Sequence, residues 1–173
     1  GLDPERPVLL VTGGSQGAAS LNTALVEARE RLIASGYQIL HAYGKKNPAP
    51  AELEHHIAVP YLDDMAAAYA VADLIVCRAG AMTVAEVTAA RVPAIYVPLP
   101  HGNGEQGLNA DEPVNAGAAL RIPDDTLTGD WLAGNVDKIL GEPERLAQMR
   151  AAYDSTGAGN VAATLADRIA ATA

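Results

Sequence analysis

A chain of 173 residues that is 49% hydrophobic and 19% charged is long enough for one domain with a real core and too apolar for disorder. Its net charge of −9 argues against nucleic acid or an anionic membrane as the main partner, and no apolar run is long enough to cross a bilayer. The single cysteine excludes an internal disulfide and fits a reducing cytoplasm, while the absence of Phe requires an aliphatic, alanine-rich core.

The polar start, GLDPERP, reads as a linker over residues 1–6 rather than as a signal peptide. Residues 7–12 (PVLLVT) form an apolar, β-branched run that predicts a buried strand, followed at once by Gly13-Gly14-Ser15-Gln16-Gly17. A helix is expected over 18–34, closed by Ser35-Gly36. A second strand follows at 37–42, then a loop over 44–50, a short helix over 52–56 and a short strand at 57–60. Asp63 or Asp64 caps a helix through Val71. Strands at 74–77 and 94–97 flank a helix that starts near Thr83 and stops at Arg91-Val92-Pro93. A Pro/Gly loop over 98–104 leads into one helix over 105–116, then a strand at 118–122. Helices capped at Thr128 and spanning 143–153 and 160–171 complete the chain. Strands that alternate with helices predict an α/β fold, a doubly wound parallel sheet in a single domain over 7–173.

Ligands of such sheets sit at the carboxyl edge of the strands, so the strand-end motifs carry the functional reading. Gly13 to Gly17, between a strand and a helix, is an anion cradle or an ordinary tight turn. It matches neither G-x-G-x-x-G nor a P-loop. Ser15 adds a hydroxyl and Gln16 an amide that can reach a ligand. Ala79-Gly80-Ala81 has almost no side-chain bulk, which lets a ligand approach the backbone. Glu86 stands at capping-box spacing from Thr83. Its alternative role is to accept hydrogen bonds from two ribose hydroxyls. Glu105, Gln106 and Asn109 form either a solvated first helical turn or a sugar-reading set, since an amide both donates and accepts. Asp63-Asp64 fits an N-cap better than a metal site, and His55-His56 points its side chains apart on any regular element. No protein-held metal and no cofactor are expected. Cys77 reads as a small buried hydrophobe. Arg78 is either a phosphate contact or half of an ion pair, and His101 either a ligand contact or a surface residue.

Three segments carry a family resemblance: GGSQGA (residues 13–18), YLDDMAAAYAVADLIVCRAGAMTVAE (61–86) and PAIYVPLPHGNGEQGLNA (93–110). They resemble the MurG family, the UDP-N-acetylglucosamine:lipid I N-acetylglucosaminyltransferases of peptidoglycan synthesis, with the GNGEQ loop most like actinobacterial members. The resemblance implies the C-terminal, donor-binding half of a GT-B glycosyltransferase, with the acceptor-binding half and its catalytic base elsewhere. It also implies residue roles. Gly13, Gly14, Ser15, Gln16 and Gly17 meet the diphosphate, and backbone at Leu62 meets the uracil. Ala81, Met82 and Thr83 line the α-phosphate and ribose, and Glu86 holds the ribose. Gln106, with Glu105 and Asn109, reads the sugar. UDP-GlcNAc is then the substrate, and lipid I is reached through the other half. The whole enzyme is expected as a peripheral protein on the cytoplasmic face of the plasma membrane. Asp111-Glu112-Pro113 departs from the family's apolar segment and predicts a kink at Pro113. Other functions consistent with the fold are a UDP-GlcNAc 2-epimerase-like enzyme, a non-catalytic nucleotide-sugar-binding module and one subunit of a split transferase.

Overall fold

The computed structural model describes residues 1–100 and 104–157. Six strands, β1 (Val8–Thr12), β2 (Gln38–Ala42), β3 (His56–Val59), β4 (Leu74–Cys77), β5 (Ala94–Tyr96) and β6 (Ala119–Arg121), pair in parallel in the order β3-β2-β1-β4-β5-β6. The connecting helices are α1 (Ala19–Ala34), α2 (Met65–Val71), α3 (Ala81–Ala90), α4 (Glu105–Asn109), α5 (Asp111–Asn115), α6 (Gly129–Leu140) and α7 (Pro143–Ala152). The expected helix over 160–171 and the expected role of His101 lie outside the described residues.

The two-residue period of the strands divides the core. In β1, Leu9 and Val11 face one layer with Leu21, Leu25 and Leu32 of α1 and Leu132 and Val136 of α6. Val8 and Leu10 face the other, with Ala68 and Tyr69 of α2 and Val84 and Val87 of α3. Because both faces are covered there, β1, β4 and β5 read as nearly unbroken apolar runs rather than alternating ones. Residues read as a linker are fastened to this domain: the Gln38 amide donates to the carbonyls of Asp3 (2.6 Å) and Arg6 (2.7 Å).

Three local expectations are corrected. The 52–56 segment is a tight turn, not a helix: His55 takes φ +62°, and His56 joins β3 opposite Ile39. Helix α3 begins at Ala81 with Gly80 as its N-cap and no side-chain cap, so Thr83 and Glu86 do not form a capping box. The single helix over 105–116 is broken into α4 and α5 at Ala110. Pro113 has no N–H for the Asn109 carbonyl, so a continuous helix is opposed there; in the first turn of α5 no such N–H is needed.

The α1 layer also encloses polar groups. His41 and His56 are buried, with ring planes 14° apart and centroids 5.4 Å apart, meeting edge to edge. Burial lowers both pKa values to about 4, with the Arg29 guanidinium adding to it for each and the neighbouring His56 ring for His41. In the unfolded chain histidine titrates near pH 6.5. The unfolded state therefore binds more protons between pH 6.5 and 4, and stability is complete above this window and falls as pH drops through it. Each ring contributes a slope of about 1.4 kcal/mol per pH unit inside the window. Urea unfolding at pH 7.5, 6 and 5 is expected to show falling stability, with a shallower slope in His56→Gln. Equal stability at all three values would show that the rings are not buried as neutral groups.

Candidate functional site

The chain leaves β1 toward β2 and β3 on one side and, later, toward β4, β5 and β6 on the other. The crevice at this reversal is where open parallel sheets bind ligands. A cleft of about 550 Å³ lies there, lined by the ends of β1 and β2 (Thr12, Ala42), by residues 13–19, and by Tyr61, Leu62, Met65, Tyr69, Arg78, Gly80, Thr83, Glu86, Leu99 and Gln106.

The glycine loop is a turn closed by Gly17 N–H donating to the Gly14 carbonyl (2.9 Å), with Gly14 N–H donating to Thr12 Oγ1 (3.2 Å). Gly17 adopts φ +72°, and a Cβ there would stand 2.2 Å from the Tyr43 carbonyl oxygen. A Cβ on Gly13 would stand 2.3 Å from the Ala18 nitrogen. Only bare backbone fits at these two positions, and the whole turn lines the cleft. Helices α1 and α3 both begin at the cleft without side-chain caps. Their first N–H groups and dipoles favour an anion. By contrast, α2 is capped: Asp64 Oδ1 accepts from Ala67 N–H at 2.9 Å, which settles Asp64 as a cap.

Arg78 enters from the end of β4 and lines the cleft, but it is an ion-pair partner of Asp124 and also donates to Ser20 Oγ (3.0 Å) and the Val97 carbonyl (3.1 Å). It ties four segments together. Glu86 accepts from the Tyr69 hydroxyl at 2.9 Å. Burial first, then this contact with the Glu86 carboxylate, raises the Tyr69 pKa, so the hydroxyl stays a donor. Lys45 lies over the Tyr61 ring, 4.7 Å from its centroid.

Nine expected contacts therefore meet in one cleft: Gly13, Gly14, Ser15, Gln16, Gly17, Leu62, Thr83, Glu86 and Gln106. Ala81, Met82, Glu105 and Asn109 do not line it. Ala81 and Met82 are exposed on the first turn of α3. Asn109 donates to the Ala79 carbonyl (3.0 Å) and Gln106 Oε1 accepts from Leu99 N–H (2.9 Å), so both also fix the loops that frame the cleft. Tyr61, Met65 and Tyr69 were not expected as contacts, although all three fall in the 61–86 segment that carries the family resemblance; Met65 and Tyr69, four residues apart, share one helix face. Among the described residues no group of three or more His, Cys, Asp or Glu is placed to hold a metal. Cys77 is buried, as expected, and burial pushes its thiol pKa up.

Strand order, switch-point cleft and glycine turn together define a Rossmann-like α/β domain. The profile of the glycosyltransferase family 28 C-terminal domain matches residues 8–169, and the chain belongs to that family. It is 54% identical over 170 residues to a UDP-N-acetylglucosamine--N-acetylmuramyl-(pentapeptide) pyrophosphoryl-undecaprenol N-acetylglucosamine transferase of Corynebacterium diphtheriae, covering 98% of this chain and 47% of the relative. A transferase of the same name from Corynebacterium glutamicum is 55% identical over 172 residues, covering 99% and 48%. Among solved structures, Acinetobacter baumannii MurG aligns with a TM-score of 0.75 at 31% identity, over 96% of this chain and 51% of that one. The resemblance seen in the three sequence segments is thus matched by relatives and by fold, that of the C-terminal half of a GT-B glycosyltransferase. The chain spans about half the length of the curated relatives it matches.

Proposed function

We propose that this chain is the donor-binding half of an inverting transferase that moves GlcNAc from UDP-GlcNAc to lipid I, giving lipid II for peptidoglycan. The observation that carries this reading is the meeting of the glycine turn, two uncapped helix starts and Glu86 in one cleft. The turn and the start of α1 receive the diphosphate. Glu86 accepts from the ribose hydroxyls, and backbone near Leu62 meets the uracil. Thr83, with Ala81 and Met82 beside it on α3, lies toward the ribose and α-phosphate, and Gln106, with Glu105 and Asn109 on the same helix, toward the sugar.

In the whole protein the lipid I hydroxyl attacks the anomeric carbon from the face opposite the diphosphate. The C–O bond to the diphosphate breaks, UDP leaves, and a base in the acceptor-binding half takes the hydroxyl proton. This domain holds the donor in line and stabilises the charge that grows on the leaving diphosphate through oriented N–H groups. Lipid I is embedded in the membrane, which places the whole enzyme at the cytoplasmic face as a peripheral protein.

Calorimetry with UDP-GlcNAc tests the donor site, and binding is expected to be the same with and without EDTA. Binding that requires added Mg²⁺ or Mn²⁺ would overturn the metal-free reading. Transfer itself is read as radiolabelled GlcNAc incorporated into a lipid I analogue when the acceptor-binding half is supplied.

A further inference from the structure

Behind the glycine turn lies a row of polar groups, buried at Arg29, His41 and His56 and half-buried at Asn22, to which the donor site gives no role. On α1, Asn22 and Arg29 are seven residues apart and share the face that covers β2 and β3. Below them, His41 of β2 and His56 of β3 lie on the same side of the sheet, because Ile39 is the register partner of His56 and His41 follows Ile39 by two. The contacts between these four side chains form a line. Arg29 Nη1 is 3.3 Å from His56 Nδ1, His56 Nε2 is 3.3 Å from His41 Nδ1, and His41 Nε2 is 3.0 Å from Asn22 Oδ1. Asn22 Nδ2 then donates to the Tyr43 carbonyl at 3.0 Å.

The direction of this line is fixed from both ends. A guanidinium has only donors, so His56 Nδ1 must accept and its proton must be on Nε2. That makes His41 Nδ1 an acceptor and puts its proton on Nε2, facing Asn22 Oδ1. From the far end, a carbonyl only accepts, so Asn22 must turn its amide nitrogen to Tyr43 and its oxygen to His41. Both ends demand the same two tautomers. A second proton on either ring would set two donors against each other, and burial keeps both rings neutral near pH 7.

The line ends on the wall that supports the glycine turn. The Tyr43 carbonyl also accepts from Asn47 Nδ2 (2.9 Å), and the same nitrogen donates to the Gln16 carbonyl (2.9 Å). Gly17 packs so closely on Tyr43 and Gly44 that neither glycine has room for a Cβ. Moving the Tyr43 carbonyl therefore moves Gln16 and Gly17.

We propose that Arg29, His56, His41 and Asn22 are positioning residues: one directed hydrogen-bond chain that sets the Tyr43 carbonyl, and through it the glycine turn, in the geometry that receives the donor's diphosphate. The proposal rests on the donor-site reading above. Two ligand-free measurements keep the two separable. In nitrogen-detected NMR at pH 7.5, both imidazoles are expected to carry the proton on Nε2 and none on Nδ1; an Nδ1–H tautomer in either ring overturns the chain. Asn22→Asp keeps an acceptor for His41 but turns a carboxylate oxygen to the Tyr43 carbonyl, and it is expected to displace the amide resonances of Gly14 and Gly17.

With UDP-GlcNAc, whose phosphates do not titrate near neutral pH, Asn22→Asp is expected to bind about tenfold more weakly by calorimetry, a loss of about 1.4 kcal/mol. His56→Leu is expected to lose a similar factor, and His56→Gln, which keeps an acceptor and a donor, to restore most of it. Leu132→Ala in α6 lowers stability without touching the chain and is expected to leave the affinity of the folded protein unchanged. A wild-type protein that ignores UDP-GlcNAc overturns the donor-site reading alone. Wild-type affinity and undisturbed glycine amides in Asn22→Asp overturn the positioning role.

Discussion

Gly17→Ala is expected to lower stability and nearly abolish donor binding. The backbone at Gly17 is left-handed, φ +72°, a conformation that costs an alanine about 1–2 kcal/mol. The new Cβ would also stand 2.2 Å from the Tyr43 carbonyl oxygen and 2.5 Å from Asn47 Nδ2. These are not flexible ends that can swing away: the carbonyl is backbone, and Asn47 is held by two carbonyls. Relieving the overlap by backbone movement adds about 1–3 kcal/mol. Thermal unfolding is then expected roughly 5–15 °C lower for a domain of this size.

Function should suffer together with stability. The displaced peptides are those proposed to meet the diphosphate, and misplacement of about 1 Å in such a site costs on the order of a hundredfold. Gly36→Ala separates the two effects. Gly36 is also left-handed, φ +96°, but nothing lies within 4 Å of its Cβ position, at the opposite end of α1 from the cleft. It is expected to lose stability and keep full UDP-GlcNAc affinity. Gly17→Ala with wild-type affinity would remove the glycine turn from the site.

Much of this was legible in the sequence because parallel strands buried on both faces leave unbroken apolar runs. VLLVT and LIVC stand out from their surroundings. The glycine turn was legible because GGSQG interrupts such a run just before a helical period. The departures share a different cause, which is that tertiary contacts chose between local options. Ala79-Gly80-Ala81 carries no cap, so nothing in the sequence marked the start of α3 two residues before Thr83. Glu52 to His56 read as a short helix, until β3 took His56 into its register against β2. Tyr69 in an alanine-rich helix reads as core, and only the placement of α2 beside α3 brings its hydroxyl to Glu86. The line from Arg29 to Asn22 is wholly non-local, since it needs the pairing of β2 with β3 beneath one face of α1.

The early start of α3 bears directly on Glu86. Spacing from Thr83 offered the carboxylate a second occupation as a helix cap, and the structure does not use it. One oxygen instead accepts from Tyr69, whose buried hydroxyl sits on the helix across the cleft. That contact aims the carboxylate but leaves acceptor capacity, since an ionised carboxylate offers about four lone-pair sites. A ribose with two adjacent hydroxyls is a suitable pair of donors. Glu86→Ala is a poor test, because it strands the Tyr69 hydroxyl and costs about 1–3 kcal/mol in stability for that reason alone. Glu86→Gln keeps an acceptor for Tyr69 but replaces one oxygen with a donor, so it cannot accept from both hydroxyls.

Loss of a hydrogen bond to a charged group is worth about 1.5–3 kcal/mol, so UDP affinity in Glu86→Gln is expected to fall roughly 10- to 150-fold with little change in thermal stability. Tyr69→Phe leaves the carboxylate intact but unaimed and is expected to lose less, a few-fold at about 0.5–1.5 kcal/mol. In Glu86→Gln the aim set by Tyr69 has less to direct, so the two losses should not add; the double variant is expected to bind no worse than about twofold below Glu86→Gln. Affinity is best measured with UDP and with 2′-deoxy-UDP, which lacks one of the two hydroxyls. If Glu86 holds the ribose, the wild type prefers UDP over the deoxy ligand and Glu86→Gln loses that preference. A folded Glu86→Gln protein that still discriminates as the wild type does would move ribose recognition to another residue of the cleft.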